Sequence, residues 1–287
     1  MMSAVASPQV LRVSGPTATV TFDDAIFEAR IDPRTPGRPL VVGDRVEWRV
    51  AGEERVITAI LPRETLLERA QGVDGPRRPI VANADLLMIV ESLASPPPRP
   101  TLIDRYLVAG YVGHLTPVIV LTKADLADPG VRDQLAQLYR SLGFDVHVGC
   151  AKDPAFVEEL RATIGGRVAA LVGQSGVGKS TLTRRLTGVD RAVGAVSEQI
   201  GGRHTTSDPR QIPLIGGGWV VDTAGVRSLF LPPLDIEDVG DAYPEVREGR
   251  ANCRFRDCRH LDDAGCAVNP LFSPTRRESY RILVAGP

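Results

Sequence analysis

Lysine is nearly absent: the 287 residues hold three, although lysine and arginine together number 34. They are Lys123 in Thr122-Lys123-Ala124-Asp125, Lys152 in Cys150-Ala151-Lys152, and Lys179 at the end of the glycine-rich run Gly173–Lys179. A compact ammonium on a flexible stem is not interchangeable with a guanidinium, so its retention at these three places points to chemistry rather than to surface charge. Aromatic residues are sparse, at 5%, and the formal net charge is only -1. That balance removes any global electrostatic drive toward nucleic acid, and an RNA contact would have to rest on local patches. No run approaches the roughly 20 apolar residues of a membrane span, and Met1 to Val10 has neither a basic start nor a long apolar core. The expectation is a cytoplasmic protein with no membrane partner. Cysteine is limited to four residues, three of them gathered near the C-terminus with one histidine, which in a reducing compartment favours a metal over disulfides.

What is present is ordinary globular material, 43% hydrophobic and 24% charged, long enough for about two domains as a prior. From Gln9 to about Arg69 short alternating runs (Val10–Val13, Ala18–Phe22, Arg45–Val50, Arg55–Ile60) are punctuated by Gly15-Pro16, Asp32-Pro33, Pro36-Gly37 and Ala51-Gly52. This predicts a small all-β barrel of OB type, serving either RNA or protein docking. Residues 70–83 read as loop. Beyond them apolar strand-like runs (Leu86–Val90, Pro117–Leu121, Phe144–Val148, Val168–Val172, Gly218–Val221) alternate with helical segments (Leu102–Val112, Val131–Leu142, Ala155–Ile164, Lys179–Leu186). Such alternation calls for a parallel sheet covered by helices. After about Leu234 the rhythm is lost.

The segment Gly173-Gln174-Ser175-Gly176-Val177-Gly178-Lys179-Ser180, followed by Thr181, comes directly after a strand-like run and opens a helix. Glycines let successive backbone N–H groups curl around a phosphate at a helix N-terminus, Lys179 reaches the β and γ phosphates, and Ser180 is placed to ligate magnesium. Asp222-Thr223-Ala224-Gly225 also ends a strand: Asp222 suits magnesium through water, and Gly225 can turn its N–H to the γ phosphate. Thr122-Lys123-Ala124-Asp125 follows a third strand-like run. Asp125 would accept from guanine N1 and N2, Lys123 would lie along the ring, and Ala151 N–H in the turn Cys150-Ala151-Lys152 would meet O6. A buried acceptor matched to those donors rejects adenine by ~10⁴ or more. Thr122 stands where many GTPases carry Asn, so fewer orienting hydrogen bonds and a modest nucleotide affinity are expected. The base-reading segment here precedes the phosphate loop, the reverse of the usual order, so one pocket from these pieces requires a circularly permuted chain, which nearby surface termini permit.

Cys253-x4-Cys258-x-His260-x5-Cys266 supplies three thiolates and an imidazole, a closed tetrahedral set suited to one structural zinc ion. Such a site can contribute ~10–16 kcal/mol to the folding of a short tail. With no open ligand position, catalysis by that ion is not expected. Arg254, Arg256 and Arg259 between the ligands either touch RNA or form a solvated charged face.

Taken together, the chain resembles the RsgA (YjeQ) family of circularly permuted GTPases, which assists late maturation of the small ribosomal subunit. The resemblance rests on the barrel, the permuted motif order, Gly202-Arg203-His204-Thr205-Thr206 between the phosphate loop and Asp-Thr-Ala-Gly, and the cysteine cluster. It implies that Gly202–Thr206 is switch I, with Thr206, or failing that Thr205, binding magnesium and sensing the γ phosphate. Val226 occupies the place of the water-orienting glutamine of Ras-like GTPases. His204 is the nearest substitute, either positioning water or standing as an ordinary surface histidine.

The expected architecture is an all-β OB-fold barrel over residues 1–70, an α/β circularly permuted P-loop GTPase domain over 80–234, and a small zinc-binding domain over 235–287. The expected activity is GTP hydrolysis to GDP and phosphate, slow alone and stimulated by the small (30S) subunit, whose rRNA is the implied partner of a monomeric protein. Two rivals are a GTP-regulated rRNA-binding scaffold with incidental hydrolysis and a permuted GTPase serving the large subunit.

Overall fold

The computed structural model describes residues 7–37, 39–70, 75–189, 209–223 and 235–285. Strands β1 (Gln9–Ser14), β2 (Thr17–Phe22), β3 (Ala25–Ile31), β4 (Val46–Ala51) and β5 (Glu54–Ile60) pair in the order β1-β2-β3-β5-β4, with β3 and β5 parallel. The ring closes where Val10 N–H donates to Asp44 O at 2.8 Å and Val46 N–H to Pro8 O at 2.9 Å. Closure removes the free edge that an open sheet would present. Val10, Ala18, Val20, Ala29, Ile31, Val46 and Ile57 fill the interior, and the topology is that of the expected OB barrel.

Strand β3 carries no strong alternating signal, and its hairpin turn is Asp23-Asp24 with both residues left-handed, at φ 46° and 61°. The register Phe22↔Ala25 makes this a two-residue loop, a position where Asn-Gly is the usual signature. The stretch expected as loop also contains a strand. Leu66–Ala70 (β6) pairs with Arg77–Ala82 (β7) in a two-stranded sheet. Pro79 is tolerated there because, among the described residues, the far side of β7 meets only the single bridge Val42↔Val81, and the pairing shifts register between Leu67 and Glu68, which faces Pro79. Leu67, Ile80 and Val81 join the core of the α/β unit rather than that of the barrel.

That unit is built on β8 (Leu86–Ser92), β9 (Thr116–Thr122), β10 (Asp145–Val148), β11 (Val168–Val172) and β13 (Trp219–Asp222), all parallel, in the order β10-β9-β8-β11-β13. Central β8 is buried at every position, as expected of a strand covered on both faces. Its pleat divides the core. Leu87 and Ile89 pack with Ile103, Tyr106 and Leu107 of α1 (Pro100–Val112) and with Leu135 and Tyr139 of α2 (Pro129–Ser141). Leu86, Met88 and Val90 pack with Phe156 and Leu160 of α3 (Pro154–Ile164) and Leu182 and Leu186 of α4 (Lys179–Thr187). Asp128 and Asp153 cap α2 and α3 by accepting from Val131 N–H and Ala155 N–H, each ahead of a proline suited to the first helical turn. Short β12 (Arg210–Pro213) adds antiparallel to β13 and meets β1 at Arg12↔Arg210, so barrel and α/β unit share one eleven-stranded sheet.

Where the sequence loses its rhythm, three helices form: α5 (Ile236–Ala242), α6 (Pro244–Gly249) and α7 (Pro274–Ala285). Val239, Tyr243, Val246, Phe272 and Tyr280 close over Val108 of α1. Beside them Arg276, 1% exposed, donates twice to Glu245, at 2.8 and 3.0 Å, and once to Asp104 of α1, while its guanidinium stacks 4.0 Å from the Tyr243 ring centre. Among the described residues no helix is long and apolar enough to cross a membrane.

Arg276→Ala would strand two buried carboxylates. The expected cost is about 3–5 kcal/mol, read as a lower urea midpoint at unchanged slope; an unmoved midpoint would contradict the role given to this ion cluster.

Candidate nucleotide site and metal cluster

Parallel strands present their carboxyl ends on one edge, and every described nucleotide-type motif lies there, where open α/β sheets bind ligands. Gly173–Gly178 follows β11, Thr122–Asp125 follows β9, Cys150–Lys152 lies just beyond β10, and Asp222 ends β13. His204, Thr205, Thr206 and Gly225 lie outside the described residues.

The phosphate loop has the backbone its glycines permit. Gly173, Gly176 and Gly178 have φ of 139°, 85° and 106°, and a Cβ on Gly173 would sit 2.1 Å from Val90 O. A side chain is therefore excluded on both conformational and steric grounds. Gly178 precedes α4 with no side-chain cap on the helix N-terminus, an arrangement suited to an anion. Lys179 Nζ donates to Gly173 O at 2.5 Å and Gln174 O at 2.7 Å. Ser180 is exposed, Thr181 partly so, and Ser175 and Gly176 face solvent. Asp222 and Thr223 are buried, and Thr223 Oγ1 donates to Leu171 O.

The base-reading loop is fastened to the phosphate loop. Thr122, fully buried, donates from Oγ1 to Val177 O at 2.6 Å and lies 3.1 Å from Glu91 O. Thr122 thus ties the two loops through a single hydroxyl. Lys123, left-handed at φ 58°, extends Nζ to Gly176 O at 2.7 Å and to Ser95 O. Asp125, in a short 3-10 turn, faces solvent. Ala124 N–H donates to Gly149 O at 3.2 Å, which holds the Cys150-Ala151-Lys152 turn beside it; Ala151 is buried and Lys152 exposed.

Two residues at this edge escaped the motif reading. Glu91, 1% exposed near the end of β8, accepts at Oε1 from Ser92 N–H and from Gln174 Nε2, both at 3.1 Å. Burial pushes its carboxyl up to about 6, against those bonds and the charges of Arg99 and Lys179. Tyr106 on α1, raised to about 12 chiefly by burial, meets the Gly173 backbone. The available signal was an acid closing the otherwise apolar run Leu86–Val90; Tyr106 looked like any core aromatic.

Away from this edge, Cys253, Cys258, His260 and Cys266 bring their ligand atoms within 4.8 Å of one another, and His260 Nδ1 is 3.6 Å from both Cys253 Sγ and Cys266 Sγ. A tetrahedron with bonds of ~2.0–2.3 Å has edges of about that length, so the group could hold a metal ion. Burial first, then the neighbouring sulfurs, push the Cys258 thiol up to about 12, a cost that a cation reverses by binding thiolate.

A family model described as RsgA GTPase matches residues 60–232. A relative from Azotobacter vinelandii named small ribosomal subunit biogenesis GTPase RsgA is 41% identical over 258 residues, 86% of this chain and 75% of its own. One of the same name from Pseudomonas putida is 38% identical over 273 residues, 91% and 78% of the two chains. Among solved structures, YjeQ from Thermotoga maritima is similar at a TM-score of 0.75 with 25% identity, over 97% of this chain and 96% of that one. YloQ, described as a circularly permuted GTPase, has the same fold at a TM-score of 0.74 and 24% identity, over 97% and 93%.

Thr122→Val keeps the side-chain shape and deletes the hydroxyl. Val177 O then loses its buried donor, and the expected cost is about 1–3 kcal/mol in urea unfolding; Thr122→Ser restores most of it. Equal stability of the Val and Ser variants would contradict the tether.

Proposed function

The chain belongs to the RsgA GTPase family, and on that premise we propose that it hydrolyses GTP to GDP and phosphate during late maturation of the small ribosomal subunit, which stimulates it. The observation that carries this is the fastening of the Thr122–Asp125 loop to the phosphate loop through Val177 O and Gly176 O. That link ties the loop carrying Asp125 to the glycine-rich anion cradle.

In this reading the backbone N–H groups of Gln174 to Lys179 hold the phosphates, and Lys179 turns from its own loop carbonyls to the β and γ oxygens. Asp125 takes the guanine N1 and N2 protons, Ala151 N–H meets O6, and Lys123 lies along the base. Ser180, Thr206 and Asp222 would hold magnesium, an oxygen-only set that suits it. When bound, that ion neutralises charge developing on the transferred phosphoryl group. Gly225 would offer its N–H to the γ phosphate, and His204 would position the attacking water in the complex with the subunit. Cys253, Cys258, His260 and Cys266 hold zinc as a structural centre. The protein works as a cytoplasmic monomer and touches rRNA through its barrel or its zinc module.

The test is steady-state GTP turnover with purified small subunits, large subunits and neither. Trans-activation reaches ~10³–10⁵-fold in other GTPases, and a rise of that kind is expected with small subunits alone. Equal turnover in all three reactions would overturn the proposal.

A further inference from the structure

A carboxylate with neither magnesium nor base to serve is unexpected inside a phosphate-binding edge, because its charge opposes the ligand the edge receives. Glu91 is such a group, and none of the roles assigned above uses it. Its Oε1 takes Gln174 Nε2 at 3.1 Å, and the backbone carbonyl of Gln174 takes Lys179 Nζ at 2.7 Å. One loop residue therefore joins the buried acid to the lysine, while Thr122 Oγ1 lies 3.1 Å from the Glu91 carbonyl. The charged and titratable groups facing the carboxylate are Arg99 ahead of α1, Tyr106 on α1 and Lys179 at the head of α4.

We propose that Glu91 is a positioning residue for nucleotide binding: through Gln174 it fixes the first turn of the phosphate loop, and its charge weakens the hold of Lys179 on phosphate. The two effects have opposite signs. The hydrogen bond favours a loop ready for the ligand, whereas the charge lowers the positive potential at the phosphates and so favours release. This rests on the nucleotide-site reading above.

The signs separate by substitution. Glu91→Gln keeps an acceptor for Gln174 and removes the charge, whereas Glu91→Ala removes both. Titration of the full-length chain with fluorescent GDP and magnesium at pH 8 should show the Gln variant binding about 3–10-fold more tightly than the parent, and the Ala variant about 3–10-fold more weakly than the Gln variant, the scale of one net hydrogen bond, and so close to the parent. At pH 5 the parent is largely protonated at Glu91, given its value of about 6, so the ratio of Gln-variant to parent affinity should approach one; titration of the phosphates cancels in that ratio. Gln and Ala variants that bind alike, whether as well as the parent or worse, would overturn the proposal. Gln174→Ala tests the same link from the loop without altering β8, and unchanged GDP affinity there would overturn it as well. A parent that binds no GDP would instead strike at the proposed function.

Discussion

The site depends on the coincidence of four motif segments with one edge of a parallel sheet. Parallel strands align their carboxyl ends, and the crossovers through α1, α2 and α3 return the chain to a parallel strand, so each following loop meets that edge whatever its place in the sequence. Motif order along the chain therefore carries no penalty: the loop after β9 and the loop after β11 are 50 residues apart in the reversed order, yet Thr122 and Lys123 bond directly to Val177 and Gly176. The tethers are short and buried or loop-to-loop, so the geometry between base-type and phosphate-type loops is set by backbone carbonyls rather than by side-chain packing.

Helix α1 extends this edge toward the C-terminal module. Tyr106 on one face meets Gly173, while Asp104 and Val108 lie in the ion cluster and apolar core shared with α6 and α7. Arg276 binds carboxylates from two elements at once, which favours one docking geometry of the module over slipped alternatives. The barrel is attached differently, through the β1–β12 pairing and the Gln211 bond to Gln9 at 3.0 Å.

Much of this was legible. The apolar runs of β8, β9 and β11 and the glycine spacing of Gly173–Gly178 admit few alternatives, since only glycine takes φ of 139° against Val90 O. Strands β3 and β7 were not legible, because Asp23-Asp24 makes a turn without glycine and Pro79 sits in a strand that needs no second ladder. Helices α5 and α6 are short, and with α7 they pack on α1 and on the Cys253–Cys266 group. At the site, the partner of Thr122 was not visible in sequence, because the Val177 carbonyl that its hydroxyl meets lies 55 residues further on. Glu91 was hidden for the converse reason: one acid in a buried strand looks like a strand end until Gln174 is seen to donate to it.

The central claim is spatial, and a structure of the chain bound to GDP and magnesium tests it most directly. The account predicts the guanine edge against Asp125 and Ala151 with the diphosphate cradled between Gly176 and Lys179. A base bound away from Asp125 while the phosphates rest on Lys179 would contradict it.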